Sequence, residues 1–213
     1  MCDHGHGNGG HGGCASHAQT FDYGGTGMEY HMVNYIDKDK VVVLNESVDG
    51  SGVKVFKAWD NRIDRTDYVE SDVDPELLFN IPFTGHVKIT GITLIGDLDE
   101  SHPSDLRIFK DREIMSFSDV ANAKPDQEMK LKQDDSGQID YPLIAAKFSN
   151  VHHLTLYFPT NFGDDVTRIF YIGLRGDFQH NFREKAVIAT YESRPMADDH
   201  KAEIPDAAHH HIC

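Results

Sequence analysis

Between Lys147 and Phe178 the chain shows its clearest alternation of apolar and polar positions. In Val151–Phe158, Leu154, Leu156 and Phe158 alternate with His153, Thr155 and Tyr157. That period of two predicts a strand with one buried face. Its partner segment, Arg168–Leu174, is apolar at both parities (Ile169, Phe170, Tyr171, Ile172, Leu174), as expected of a strand inside a sandwich. An Asn161-Phe162-Gly163 turn lies between the two.

The same reading extends along the chain. Val41–Leu44 predicts a short buried strand, and Leu77–Phe83 with Val87–Ile95 a strand pair across a turn at Thr84-Gly85-His86. In the second of these, Val87 and Ile89 share one parity, whereas Ile92 and Leu94 have the other. The switch falls at Gly91 and predicts a bulge, or a bend from one sheet to the other. Leu106–Lys110 follows a polar turn-rich loop, Glu128–Lys132 reads as an edge strand, and Ala186–Tyr191 as a last strand. Helix is confined to a turn or two near Asp74–Phe79 and Glu113–Val120. Many strands spaced by turn residues predict an all-β fold, a sandwich or jelly roll, over a parallel α/β fold.

The ends differ from this pattern. Residues 1–20 are Gly/His low complexity and read as a disordered tail. From Met196 the chain turns polar, so 196–213 reads as a flexible tail. One β-domain remains at 21–195, with its core at 29–192.

Composition narrows the partners. Apolar residues make up 39% of the chain, enough for a core without disulfide staples, and Cys2, Cys14 and Cys213 all sit in the tails. Against 20 basic residues stand 35 acidic ones, a formal charge of −15. Nucleic acid and anionic membrane are disfavoured by that balance, and a basic protein surface is favoured. With no basic-then-apolar leader and no long apolar run, neither secretion nor a membrane span is expected.

The candidate chemistry lies mainly in the tails. Cys2, His4, His6, His11 and Cys14, with His17 beyond them, could wrap a soft or borderline metal, although the glycines between them favour adventitious affinity. At the other end, His209, His210, His211, Ile212 and Cys213 place imidazoles and a thiol beside the terminal carboxylate, suited to a partner's groove or metal. His152 and His153 are adjacent in a strand, so they cannot chelate together, and one is expected packed and the other exposed. The acidic loop Asp97–Asp105 matches no Ca²⁺ loop and reads as solvated. Asp60, Arg62, Asp64, Arg65 and Asp67 read as a surface ion-pair network. There is no Gly-x-Ser-x-Gly elbow, phosphate-binding Gly loop or His-Glu-x-x-His, so neither catalysis nor a cofactor is expected.

Several motifs together carry a family likeness: Leu44-Asn45-Glu46-Ser47, the run LLFNIPFTG at Leu77–Gly85, Ser101-His102-Pro103-Ser104, Met115-Ser116-Phe117 and Lys147–Phe178. The chain from Glu29 to Glu192 resembles the PITH domain, the C-terminal proteasome-interacting domain of thioredoxin-like proteins. The resemblance implies a jelly-roll β-sandwich of the galactose-binding-domain-like type and a non-enzymatic association with the 26S proteasome regulatory particle. It also implies residence in cytoplasm and nucleus; outside that complex the chain is expected to be a monomer. The Cys-Gly-Pro-Cys redox site of the two-domain relatives is missing, so the likeness is to stand-alone PITH proteins and brings no oxidoreductase activity. Two rival readings are a glycan- or small-ligand-binding sandwich and metal sensing through the His/Cys tail. The one tryptophan, Trp59, lies in a charged loop, unlike a sugar platform.

Overall fold

The computed structural model describes residues 28–182. The chain divides into two units, Met1–Phe182 and Arg183–Cys213, and every described residue belongs to the first. Both tails, and the strand expected at Ala186–Tyr191, lie outside the described residues.

Among the described residues the strands are β1 (Val42–Leu44), β2 (Val69–Glu70), β3 (Leu77–Ile95), β4 (Asp105–Lys110), β5 (Gln127–Lys130), β6 (Asp140–Pro142), β7 (Val151–Phe158), β8 (Arg168–Ile169) and β9 (Tyr171–Asn181). A short helix, α1 (Phe117–Asn122), follows β4. Every strand pairing is antiparallel. The all-β jelly-roll sandwich expected from the sequence is the fold found.

The expected hairpin at Thr84-Gly85-His86 does not form. Leu77–Ile95 is one strand of 19 residues that changes neighbours along its length. Its first half lies between β1 and β7 (Val42 opposite Asn80, Asn80 opposite Thr155), and its second between β9 and β6 (Ile92 opposite Leu174 and Tyr141). The pairing register with β7 shifts between Pro82 and Val87, where the strand passes from one layer to the other. Gly85 reads as a turn residue in the sequence but serves here as space, since a Cβ on it would come within 2.6 Å of the His180 carbonyl oxygen. The expected irregularity at Gly91 is a register shift between Ile89 and Gly91. It lets Val87, Ile89, Ile92 and Leu94 all enter the central core despite their opposite parities.

That core joins both layers: Leu77, Phe79 and Ile81 from the first half of β3, Leu154, Leu156 and Phe158 from β7, and Ile172 and Leu174 from β9. β7 is more buried than its alternation predicts. Tyr157, expected at the surface, packs with Leu78, Phe109, Met115 and Val120 in a second cluster on the outer side of the layer. Segment 115–122 covers that side, and a capping box sets the start of α1. The Ser116 side chain accepts from the Asp119 backbone N–H, and the Asp119 side chain accepts from the Ser116 N–H. The helical turn expected at Asp74–Phe79 is absent, because β3 begins at Leu77. Val42–Leu44 is half-buried rather than buried. Arg168–Leu174 is divided at Phe170: β8 pairs with β2, whereas β9 pairs with β3, so neither pairs with β7.

Between the first layer and its cover lies a buried polar pin. The Asn80 carboxamide accepts from the Met115 N–H (2.9 Å) and the Thr155 hydroxyl (3.1 Å), and donates to the Met115 carbonyl (3.0 Å). Removing it strands the Met115 backbone groups without partners. Asn80→Ala is expected to lower unfolding stability by about 2–3 kcal/mol, read from urea denaturation. Gly176→Ala, whose new methyl would collide with the Lys88 carbonyl in the neighbouring strand, is expected to cost about 1–3 kcal/mol in the same measurement.

Candidate functional site

Because β3 crosses between layers, both its ends reach the same end of the sandwich. Leu77 lies opposite Phe158, and Ile95 opposite Tyr171. The loops at 45–52, 71–76, 96–104, 132–138 and 159–167 therefore meet there, and hydrogen bonds fasten each to another. Asn45, in the left-handed region at φ 66°, donates its side-chain amide to the Asp74 and Glu76 carbonyls and accepts from the Val73 N–H. The Glu46 carboxylate accepts from the N–H groups of Gly50 and Gly52. Thr167 exchanges backbone and hydroxyl bonds with Ser71 and Pro75.

His102 ties three of these loops and is completely buried. Its Nε2 lies 3.2 Å from the Asp134 backbone N–H, which can only donate, so the ring proton sits on Nδ1, 2.8 Å from the Pro103 carbonyl. Burial is the main cause holding this imidazole's pKa below its ordinary value. Asp134 in turn accepts from the N–H groups of Ser136, Gly137 and Ile139, shaping its loop. The Phe162 N–H donates to the carbonyls of Glu100 (3.0 Å) and His102 (3.2 Å), and the Arg168 N–H donates to Ser101.

The charges at this end divide into paired and unpaired sets. Arg168 grips Glu70 at 2.5 and 2.8 Å and reaches Asp97 at 3.5 Å, while Arg65 holds Asp97 at 2.7 Å and approaches Asp135 at 3.8 Å. Asp105 pairs with Lys130 at 2.5 Å and accepts from Ser104 and Thr160. Asp99 caps its own turn, and the Ser101 hydroxyl holds its carboxyl below the usual carboxylate range. Glu100, Asp164 and Asp165 are exposed and have no cationic partner among the described residues. The same two loops carry the exposed Leu98 and Phe162. The loop 97–105, expected to be solvated, is thus partly an ion-pair anchor and partly a free acidic rim.

The tail candidates, Cys2, His4, His6, His11 and Cys14 together with His209, His210, His211, Ile212 and Cys213, lie outside the described residues. Among the described residues no group of three His, Cys, Asp or Glu side chains is placed to hold a metal. His152 is exposed and bonds Asp111 at 2.8 Å, while His153 is half-buried, as the strand reading expects. His86 stacks on His180 with centroids 4.7 Å apart and lies 5.9 Å from His152, a grouping that no sequence spacing reveals. The charges of 60–67 pair largely outside their own loop: Arg65 goes to Asp97 and Asp135, and Arg62 lies 4.1 Å over the Trp59 ring. Tyr30 also stacks on Trp59, at 4.3 Å, so the indole is occupied by internal partners.

A family model described as the PITH domain matches residues 23–195. A PITH domain-containing protein of Caenorhabditis elegans is 58% identical over 207 residues, covering 97% of each chain. PITH domain-containing protein 1 of Homo sapiens is 45% identical over 199 residues, covering 93% of each. Among solved structures, the C-terminal domain of a chitobiase from Bacteroides fragilis aligns with a TM-score of 0.46 and 19% identity, covering 68% of this chain and 99% of that one. A CBM32 domain of a family 31 glycoside hydrolase from Clostridium perfringens aligns with a TM-score of 0.45 and 12% identity, covering 68% of this chain and 97% of that one. Likenesses at that level are general resemblances between chains and carry nothing about ligands.

The neutral, buried His102 has a consequence for pH. Its folded pKa lies below the ordinary 6.5, so as pH falls the unfolded chain takes up the proton first and the folded state loses stability. His153, lowered mainly by burial and then by His152, acts in the same direction. The urea midpoint is therefore expected to fall between about pH 7 and about pH 5, and to fall less steeply in His102→Gln.

Proposed function

Because this chain belongs to the PITH-domain family, we propose that it is a non-enzymatic protein-binding module that docks on the regulatory particle of the 26S proteasome. The observation that carries the reading is the family match across 23–195, which spans every described strand. The structure supports a binding role through the loop-rich end, where side chains are presented on loops fixed to one another rather than free. In this reading the protein acts as a monomer that joins the complex in cytoplasm and nucleus. The segment His209–Cys213 adds a contact, with its imidazoles and thiol reaching a metal-bearing or acidic pocket of the partner.

The glycan-binding reading is weaker. Sugar platforms present an open aromatic face, and the one tryptophan is covered by Tyr30 and Arg62.

Co-sedimentation of the full-length chain with purified 26S proteasome tests the proposal. The chain is expected to travel with the particle, and its complete absence from that fraction would reject the docking role. A variant lacking residues 207–213 is expected to bind more weakly. If it binds equally and leaves ubiquitin-chain processing unchanged, the tail contributes nothing.

A further inference from the structure

We infer that the loop end displaying Leu98 and Phe162 is the docking surface, and that it receives a basic protein segment carrying apolar side chains. This rests on the protein-binding reading above and assigns it a place and a chemistry.

The apolar half of the argument is the exposure of two large side chains on loops that are held in place. Leu98 is 60% exposed and Phe162 43%. A single exposed leucine is unremarkable on any protein surface, but these two sit on adjoining loops. The Phe162 N–H is shared between the Glu100 and His102 carbonyls, and the Asp164 N–H reaches the Glu100 carbonyl at 3.3 Å. Internally, Phe162 meets His102 only edge-on, at 6.1 Å between ring centroids. Loops already held by their own hydrogen bonds lose little further backbone freedom when a partner covers them.

The charge half selects the occupant. Glu100 shares its loop with Leu98, and Asp164 and Asp165 share theirs with Phe162; none has a cationic partner among the described residues, whereas Arg65 and Arg168 are committed to Glu70, Asp97 and Asp135. Of the five loops at this end, 45–52, 71–76, 96–104 and 159–167 contain no Lys or Arg, and 132–138 contains one, Lys132, against the acidic residues of all five. An anionic partner would be repelled. A segment with Lys or Arg would supply the missing counter-charge, and its aliphatic residues would cover Leu98 and Phe162.

The test titrates the full-length, ¹⁵N-labelled chain with a short synthetic peptide of lysine and leucine, an all-lysine peptide and free galactose. The lysine-leucine peptide is expected to bind more tightly than all-lysine, with shifts centred on 97–102 and 160–166. Leu98→Ala/Phe162→Ala should weaken it about tenfold and abolish its advantage, while Glu100→Gln/Asp164→Asn/Asp165→Asn should remove most of its salt sensitivity. The control pair Asp39→Asn/Glu113→Gln should bind as wild type. Shifts centred elsewhere, an unaffected Leu98→Ala/Phe162→Ala variant, or the same shifts produced by galactose would overturn the inference. Purified 26S proteasome supplies the second arm. If wild type and the Leu98→Ala/Phe162→Ala variant bind it equally, this surface is refuted and the proteasome reading stands. If wild type does not bind it while the peptide still seats on these loops, the proteasome reading is refuted and the surface stands.

Discussion

Everything in this fold hangs on β3 remaining a strand while it leaves one layer and enters the other. Its nineteen residues find partners in β1, β7, β9 and β6. Two local devices make this possible. Gly85 has no side chain where β9 comes close, and the bulge before Gly91 restores the inward phase of the apolar residues. The continuity also returns both ends of the strand to one pole of the sandwich, so that loops distant in sequence share hydrogen bonds there. The candidate binding surface is a by-product of this crossing.

Covering the outer side of the first layer is a second requirement, met by a different kind of interaction. Leu78, Phe109 and Tyr157 would face solvent if the layer were bare, and segment 115–122 lies over them. Burial drives that cover on, but apolar contacts do not fix its position. The bonds from Asn80 to the Met115 backbone do, because only one placement of the segment satisfies both the N–H and the carbonyl.

Much of this was legible in the sequence. The parity switch at Gly91 foretold the bulge, and the charged alternation of Glu128–Lys132 foretold an edge, with β5 lying last in the order β1-β3-β7-β4-β5. The errors have physical causes. A glycine flanked by Thr84 and His86 looks like a turn, because a sequence does not show that the glycine is needed for the His180 carbonyl to approach. Tyr157 looks outward-facing, because alternation reports two faces and not whether a second element covers one of them. The division of 168–174 at Phe170 follows from β8 and β9 taking different partners, β2 and β3. The pole with Leu98 and Phe162 was the least legible, since only the path of β3 brings those loops together.

The central place of β3 also bears on how the protein is made. When Leu77–Ile95 leaves the ribosome, only β1 has been synthesised among its partners, and β6, β7 and β9 are still to come. The edge of its second half that faces β9, rich in Val, Ile and Leu, then lacks a partner until the chain has been made as far as Asn181. The sandwich cannot close piecemeal from its N-terminus. Its nascent chain passes through a stage of exposed apolar strand that general chaperones are built to shield.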